Sequence, residues 1–87
     1  MDKSLIYDFW GCGDDQIIDF AIERARLNRH EKDVVCLILD ECLTQEETAE
    51  KLNYSPRRVN EFWRSAVKKL LNIPWVYAYA KAISEER

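Results

Sequence analysis

The sequence predicts an all-α fold, a compact domain of five or six helices, and three observations lead there. The 87 residues include only two Gly and two Pro, Leu, Ala, Glu, Lys and Arg are abundant, and apolar residues recur at helical spacing rather than in alternation. Straight-chain residues lose little rotamer freedom in a helix, and scarce Gly and Pro leave few places to break one. A chain of this length is read as one domain (1–87) that buries on the order of 60% of its unfolded surface. With 47% hydrophobic residues committed mostly to packing, little remains to line a deep catalytic pocket.

The first apolar stretch, Ser4 to Trp10, reads as one or two helical turns ending at Gly11-Cys12-Gly13, where glycines permit a sharp reversal. Asp14 or Gly13 then caps a second helix. Asp14, Asp15 and Asp19 place negative charge near its positive end, Ile18, Ala21, Ile22 and Ala25 form its stripe, and it is expected to end near Asn28. From Arg29 to Cys42 the apolar positions Val34, Val35, Leu37, Ile38, Leu39 and Cys42 wrap most of a helix, which suits a central one.

Thr44-Gln45-Glu46-Glu47 has the form of a capping box, in which the Thr hydroxyl accepts a backbone N–H and the Glu accepts one in return. A new helix therefore starts at Gln45. It is short, because Asn53-Tyr54-Ser55-Pro56 follows Leu52: Asn tolerates the left-handed conformation, Ser caps, and Pro suits the first helical position. The helix from Pro56 runs through Val59, Phe62, Trp63, Ala66, Val67 and Leu70 on one broad apolar face until Asn72-Ile73-Pro74. A last helix, Trp75 to about Glu85, carries Trp75, Val76, Tyr79, Ala80 and Ile83. The Tyr77-Ala78-Tyr79-Ala80 alternation hints at a strand, but the alanines, the preceding Pro and the lack of a partner strand outweigh it.

No apolar run reaches the roughly 20 residues that span a bilayer, and Met1-Asp2-Lys3 begins no signal peptide, so a cytoplasmic protein without a membrane partner is expected. Cys12, Cys36 and Cys42 are odd in number and show no CxxC spacing, which favours reduced thiols, Cys36 and Cys42 as small core residues. With His30 the only histidine, no metal site and no cofactor is expected. His30 reads as a surface residue rather than a general base, and Asp14/Asp15 and Glu46/Glu47 as compensation of helix N-termini rather than paired catalytic carboxylates. No catalytic residue is assigned, and a non-enzyme is expected.

The informative region is about 45–70. A short helix, a tight turn and a longer helix make helix-turn-helix geometry: Ala49 is small where the helices approach, Asn53 stands at the turn four residues later, and Val59 and Phe62 follow ten and thirteen residues after Ala49. Leu52 and Tyr54 add flanking apolar contacts.

On these residues the stretch from Leu27 to Ile73 resembles region four of bacterial sigma factors and the related LuxR/GerE-type helix-turn-helix domain. The likeness rests on Glu31, Val34 and Leu37, on Leu43-Thr44-Gln45-Glu46-Glu47-Thr48-Ala49-Glu50-Lys51-Leu52, on Asn53-Tyr54-Ser55 and Val59, and on Ala66-Val67-Lys68-Lys69-Leu70. The resemblance implies a DNA-binding transcription protein whose helix from Pro56 enters the major groove, with residues 29–73 as core, 1–28 as a helical extension and 74–87 as a C-terminal helix. In LuxR/GerE-type domains that last helix makes the dimer, so Trp75, Tyr77, Tyr79 and Ile83 are the expected homodimer or partner interface. RNA polymerase is the other partner the likeness implies. Three positions depart from the pattern. Asn53 stands for the usual turn glycine, Thr48 leaves a hydroxyl at a semi-buried position where Ile or Val is usual, and Pro56-Arg57-Arg58 replaces a small or polar helix start. The family's base preference is therefore not carried over.

Charge supplies an independent test, since phosphate neutralisation must come from Lys and Arg on the contacting face. The net −3 divides into −3 for residues 1–28, −4 for 29–54, +4 for 55–72 and 0 for 73–87. Only the proposed recognition helix is basic. With Val59, Phe62, Ala66 and Leu70 turned inward, Arg57, Glu61, Arg64 and Lys68 lie on the opposite face, Asn60 and Ser65 at its margins, and Arg58 and Lys69 to one side. Arg57, Arg58, Asn60, Glu61 and Arg64 are the expected base contacts, and Thr44, Ser55, Lys68 and Lys69 the expected phosphate contacts.

The rival reading of this face is a solvated helix surface on which Glu61 pairs with Arg57 and Arg64. Trp10, Trp63, Trp75, Tyr54, Tyr77 and Tyr79 could stack on single-stranded bases, but Trp63 and Trp75 read better as core and Tyr77 as an exposed partner contact. Two further functions fit the same motif: a module that binds RNA polymerase or a regulator through its acidic faces, and a phage packaging or replication initiator.

Overall fold

Capping chemistry sets most helix boundaries in the computed structural model, which describes residues 3–12 and 14–86. The described residues form α1 (Lys3–Cys12), α2 (Asp15–Ala25), α3 (Arg29–Leu39), α4 (Gln45–Leu52), α5 (Pro56–Leu71) and α6 (Pro74–Glu85), with no strand among them. Among them no helix is long and apolar enough to cross a membrane.

α1 is longer than the one or two turns expected. Leu5, Ile6, Phe9 and Trp10 are all buried, and this stripe carries the helix through Gly11 to Cys12. Gly13, the other residue of the expected reversal, lies outside the described residues. The Ile17 N–H donates to Asp14 Oδ1 at 2.8 Å and starts α2. α2 ends at Ala25, short of Asn28, because Asn28 is committed to starting α3. The Glu31 N–H donates to Asn28 Oδ1 at 2.8 Å, and the Asn28 N–H returns to Glu31 Oε1 at 3.0 Å. Arg26, at φ 55°, makes the left-handed reversal that ends α2.

α3 stops at Leu39 rather than Cys42. The Asp40 and Glu41 N–H groups both donate to the Cys36 carbonyl, and Cys42 takes φ 58° on the way to the extended Thr44. Cys42 is consequently exposed and Cys36 half-buried, so neither is the core residue expected of it, and neither is disulfide-bonded. α4 begins as expected, with the Glu47 N–H donating to Thr44 Oγ1 and the Thr44 N–H to Glu47 Oε1, both at 3.1 Å. It ends at Asn53, φ 61°, where the Tyr54 N–H reaches the Ala49 carbonyl at 2.9 Å and the Asn53 N–H that of Glu50 at 3.4 Å, the paired bonds of a Schellman end. The Arg58 N–H donates to Ser55 Oγ at 3.2 Å, and Pro56 opens α5.

The chain divides into two compact units, Met1–Arg26 with Val67–Arg87, and Leu27–Ala66. In the first, α1 pairs with α6, and buried Phe9 meets Trp75 and Tyr79 edge-on, at centroid distances of 6.3 and 5.7 Å. Val76 and Ala80 take the inward row of α6, which leaves Trp75 at its edge, 37% exposed rather than in the core. In the second, α3 packs on α4, and Val34, Val35, Leu37, Ile38, Ala49, Val59, Trp63 and Ala66 are buried. Thr48 is wholly rather than half buried, and its hydroxyl donates to the Thr44 carbonyl at 2.8 Å.

Candidate nucleic-acid interface

α4, the Asn53–Ser55 turn and the first turns of α5 build a helix-turn-helix within the second unit. Val59, Trp63 and Ala66 are buried, and helical spacing then turns Arg57, Glu61 and Arg64 to solvent; Arg58 is exposed as well and Asn60 half-buried. All five expected base-contacting residues thus occupy one helix, with Asn60 at the margin where it was expected. Arg57 Nε lies 3.7 Å from Glu61 Oε1, with the side chains 91% and 66% exposed. A pair so exposed contributes little stability, and both groups keep access to a ligand.

A cluster of rings unforeseen from the sequence sits at the start of α5. The His30 ring stacks on Phe62 at 5.2 Å and 19°, His30 Nδ1 and the Tyr54 hydroxyl are 2.5 Å apart in a hydrogen bond, and Tyr54 and Phe62 lie 5.8 Å apart. Phe62 is half-buried instead of turned fully to the core, and the Arg58 guanidinium stands 5.7 Å from its ring centre. Such an exposed cation–π contact is worth roughly 0.5–1 kcal/mol and narrows the orientations open to Arg58. His30 is exposed, as read, yet it packs the turn against the start of α3.

Glu31 joins the same elements from within. It is 1% exposed; Oε1 accepts the Asn28 N–H, and Oε2 accepts the hydroxyl of Ser65 on α5. The Asn28-Arg29-His30-Glu31 spacing repeats the Thr44 capping-box signal, so the first of these bonds could have been found from sequence. The second could not.

The expected phosphate contacts are more dispersed. Thr44 stands at the start of α4 and Ser55 beyond its end, one eight-residue helix apart, about 12 Å at 1.5 Å per residue. Each hydroxyl oxygen accepts a backbone N–H, which leaves the hydroxyl proton to donate. Lys68 is exposed and Lys69 half-buried near the end of α5, in the first unit. That unit also contains the expected interface residues of α6, where Trp75, Tyr77 and Tyr79 are exposed and Ile83 half-buried.

A family model described as "Sigma-70, region 4" matches residues 25–71. This is more than half of the chain, and the chain belongs to that family, a helix-turn-helix DNA-binding family of transcription proteins. The match supports the sigma likeness and adds nothing specific to the LuxR-type one. No curated protein and no solved structure matches the chain.

Proposed function

We propose that this protein binds double-stranded DNA sequence-specifically in transcription regulation or initiation, with the first turns of α5 in the major groove and α4 crossing the backbone. One observation carries the reading: residues 55–72 hold +4 in a chain of net −3, and Arg57, Arg58 and Arg64 are exposed on the second helix of the helix-turn-helix. Arg57, Arg58 or Arg64 suits guanine, Asn60 suits adenine, and Glu61 accepts from cytosine or holds Arg57 in place. Thr44, Ser55, Lys68 and Lys69 take phosphates. Residues 29–73 act as the DNA-binding core, flanked by the 1–28 extension and the 74–87 helix. A single module buries too little surface for tight binding, so Trp75, Tyr77, Tyr79 and Ile83 serve a protein contact, with a second copy or with RNA polymerase.

Selection of bound sequences from a random duplex pool, followed by titration of the selected duplex against salt, tests the proposal. About four phosphate contacts predict a slope of log affinity on log salt near −4, and Arg57→Ala with Arg64→Ala abolishes the preference for the selected site. If the double variant and the wild type bind alike, or neither binds, the DNA reading fails and the protein-interaction reading replaces it. A palindromic selected site identifies a dimer.

A further inference from the structure

We infer, resting on the DNA reading proposed above, that Phe62 is a positioning residue for Arg58. Its ring holds the guanidinium toward one base pair of the site, so the preference at that base pair depends on an aromatic side chain that acts only through the arginine. His30 and Tyr54 brace the ring from two other elements, and all four residues lie within the second unit.

Arg58 and Phe62 stand four residues apart on α5, hence on one side of the helix, and the guanidinium lies 5.7 Å from the ring centre. The ring is not held by α5 alone. His30, in the first turn of α3, stacks on it, and Tyr54, in the turn before α5, lies against it at 52°. The hydrogen bond between His30 Nδ1 and the Tyr54 hydroxyl ties these two rings to each other. Phe62 is half-buried, so part of the ring is packed while part stays open to the cation. An aliphatic side chain at position 62 would fill the same edge and offer no π face.

The other two exposed arginines of the face lack such support. Arg57 pairs with Glu61 at 3.7 Å, but with the side chains 91% and 66% exposed that pair constrains little. The Arg64 side chain makes no hydrogen bond, ion pair or ring contact among the described residues. An arginine side chain has several rotatable bonds to order before its planar fork meets guanine O6 and N7. A guanidinium already held loses less freedom on binding. The ring contact also strengthens when docking excludes water, so it contributes more on DNA than in the free protein.

The test uses the full chain and the duplex selected from the random pool, with companion duplexes changed at one base pair at a time. Arg58→Ala identifies the base pair that Arg58 reads. Phe62→Leu is expected to lower the preference at that same base pair by about threefold or more. Preferences at the other positions and the salt slope stay as in wild type, because the charge of Arg58 remains. Phe62→Tyr restores the lost preference. A merely structural role for Phe62 would instead weaken binding to every duplex alike, and Phe62→Met, also apolar and without a π face, repeats the measurement if Phe62→Leu does not fold. In the NMR spectrum of the free protein, the ring current of Phe62 is expected to move the Arg58 Cδ protons upfield of those of Arg57, and Phe62→Leu removes that displacement. Identical Arg58 signals with and without the ring overturn the proposal, as does an Arg58→Ala variant that weakens all duplexes alike and so marks a phosphate contact. A wild type that selects no duplex overturns the DNA reading and this one with it, whereas a selected duplex on which Phe62→Leu keeps the wild-type preference overturns this one alone.

Discussion

Replacing Glu31 with Ala removes a carboxylate that ties two distant segments together. Glu31 is 1% exposed, one oxygen accepts the Asn28 N–H at 3.0 Å, and the other accepts the Ser65 hydroxyl. A hydrogen bond to a charged acceptor contributes roughly 1.5–3 kcal/mol, and the desolvation of the buried carboxylate offsets part of the two combined. With the lost capping bond and a small void included, Glu31→Ala is expected to cost about 3 kcal/mol. Glu31→Gln keeps the shape; its amide oxygen accepts from Asn28 while its NH₂ donates to the Ser65 oxygen, and the cost falls to about 1 kcal/mol. In a domain of this size each kcal/mol moves Tm by about 4–8 °C, so the Ala variant melts about 15 °C lower and the Gln variant about 5 °C lower. Thermal and urea melts followed by far-UV dichroism measure both. Ser65→Ala completes a double-mutant cycle with Glu31→Ala, with an expected coupling of about 1–2 kcal/mol. Equal midpoints for the Ala and Gln variants, or a coupling near zero, would refute the claim that this carboxylate joins α3 to α5.

Thr48→Val tests a departure from the family pattern: the Thr44 carbonyl that accepts the Thr48 hydroxyl also accepts the Thr48 N–H at 2.9 Å, so losing the hydroxyl orphans nothing. Its unfolding free energy from urea melts should stay within about 0.5 kcal/mol of wild type, and a loss beyond about 1.5 kcal/mol would show that the hydroxyl has a further task. Gly11→Ala should stabilise by about 0.5–1 kcal/mol, since Gly11 lies inside α1, is exposed, and an added Cβ meets nothing within 4 Å. A raised Tm is the expected reading, and a lowered one would contradict this account of the end of α1.

Helix type and most helix starts were legible in the sequence because they depend on interactions within one turn. Thr44 with Glu47, the left-handed Asn53, and Ser55 before Pro56 act over three residues or fewer, and the structure keeps each boundary they mark. The basic face of α5 was legible for a related reason: helical spacing gives direction, and Arg57, Glu61 and Arg64 are exposed opposite buried Val59, Trp63 and Ala66. Spacing does not give depth. Phe62 and Trp75 are apolar residues at the edges of their stripes, and the neighbours that leave one half-buried and the other 37% exposed come from other elements. Cys42 reads as a core position until the reversal before Thr44 turns it outward. Glu31 meets Ser65 across 34 residues and His30 meets Tyr54 across 24, and sequence spacing carries no trace of either pair. The sequence alone determined which segments are helical, the boundaries at Thr44, Asn53 and Ser55–Pro56, and the charge of α5, because those energies are local. Tertiary structure decided what holds that helix in place and which rings brace Phe62 beside Arg58, because burial and ring contacts depend on segments that only folding brings together.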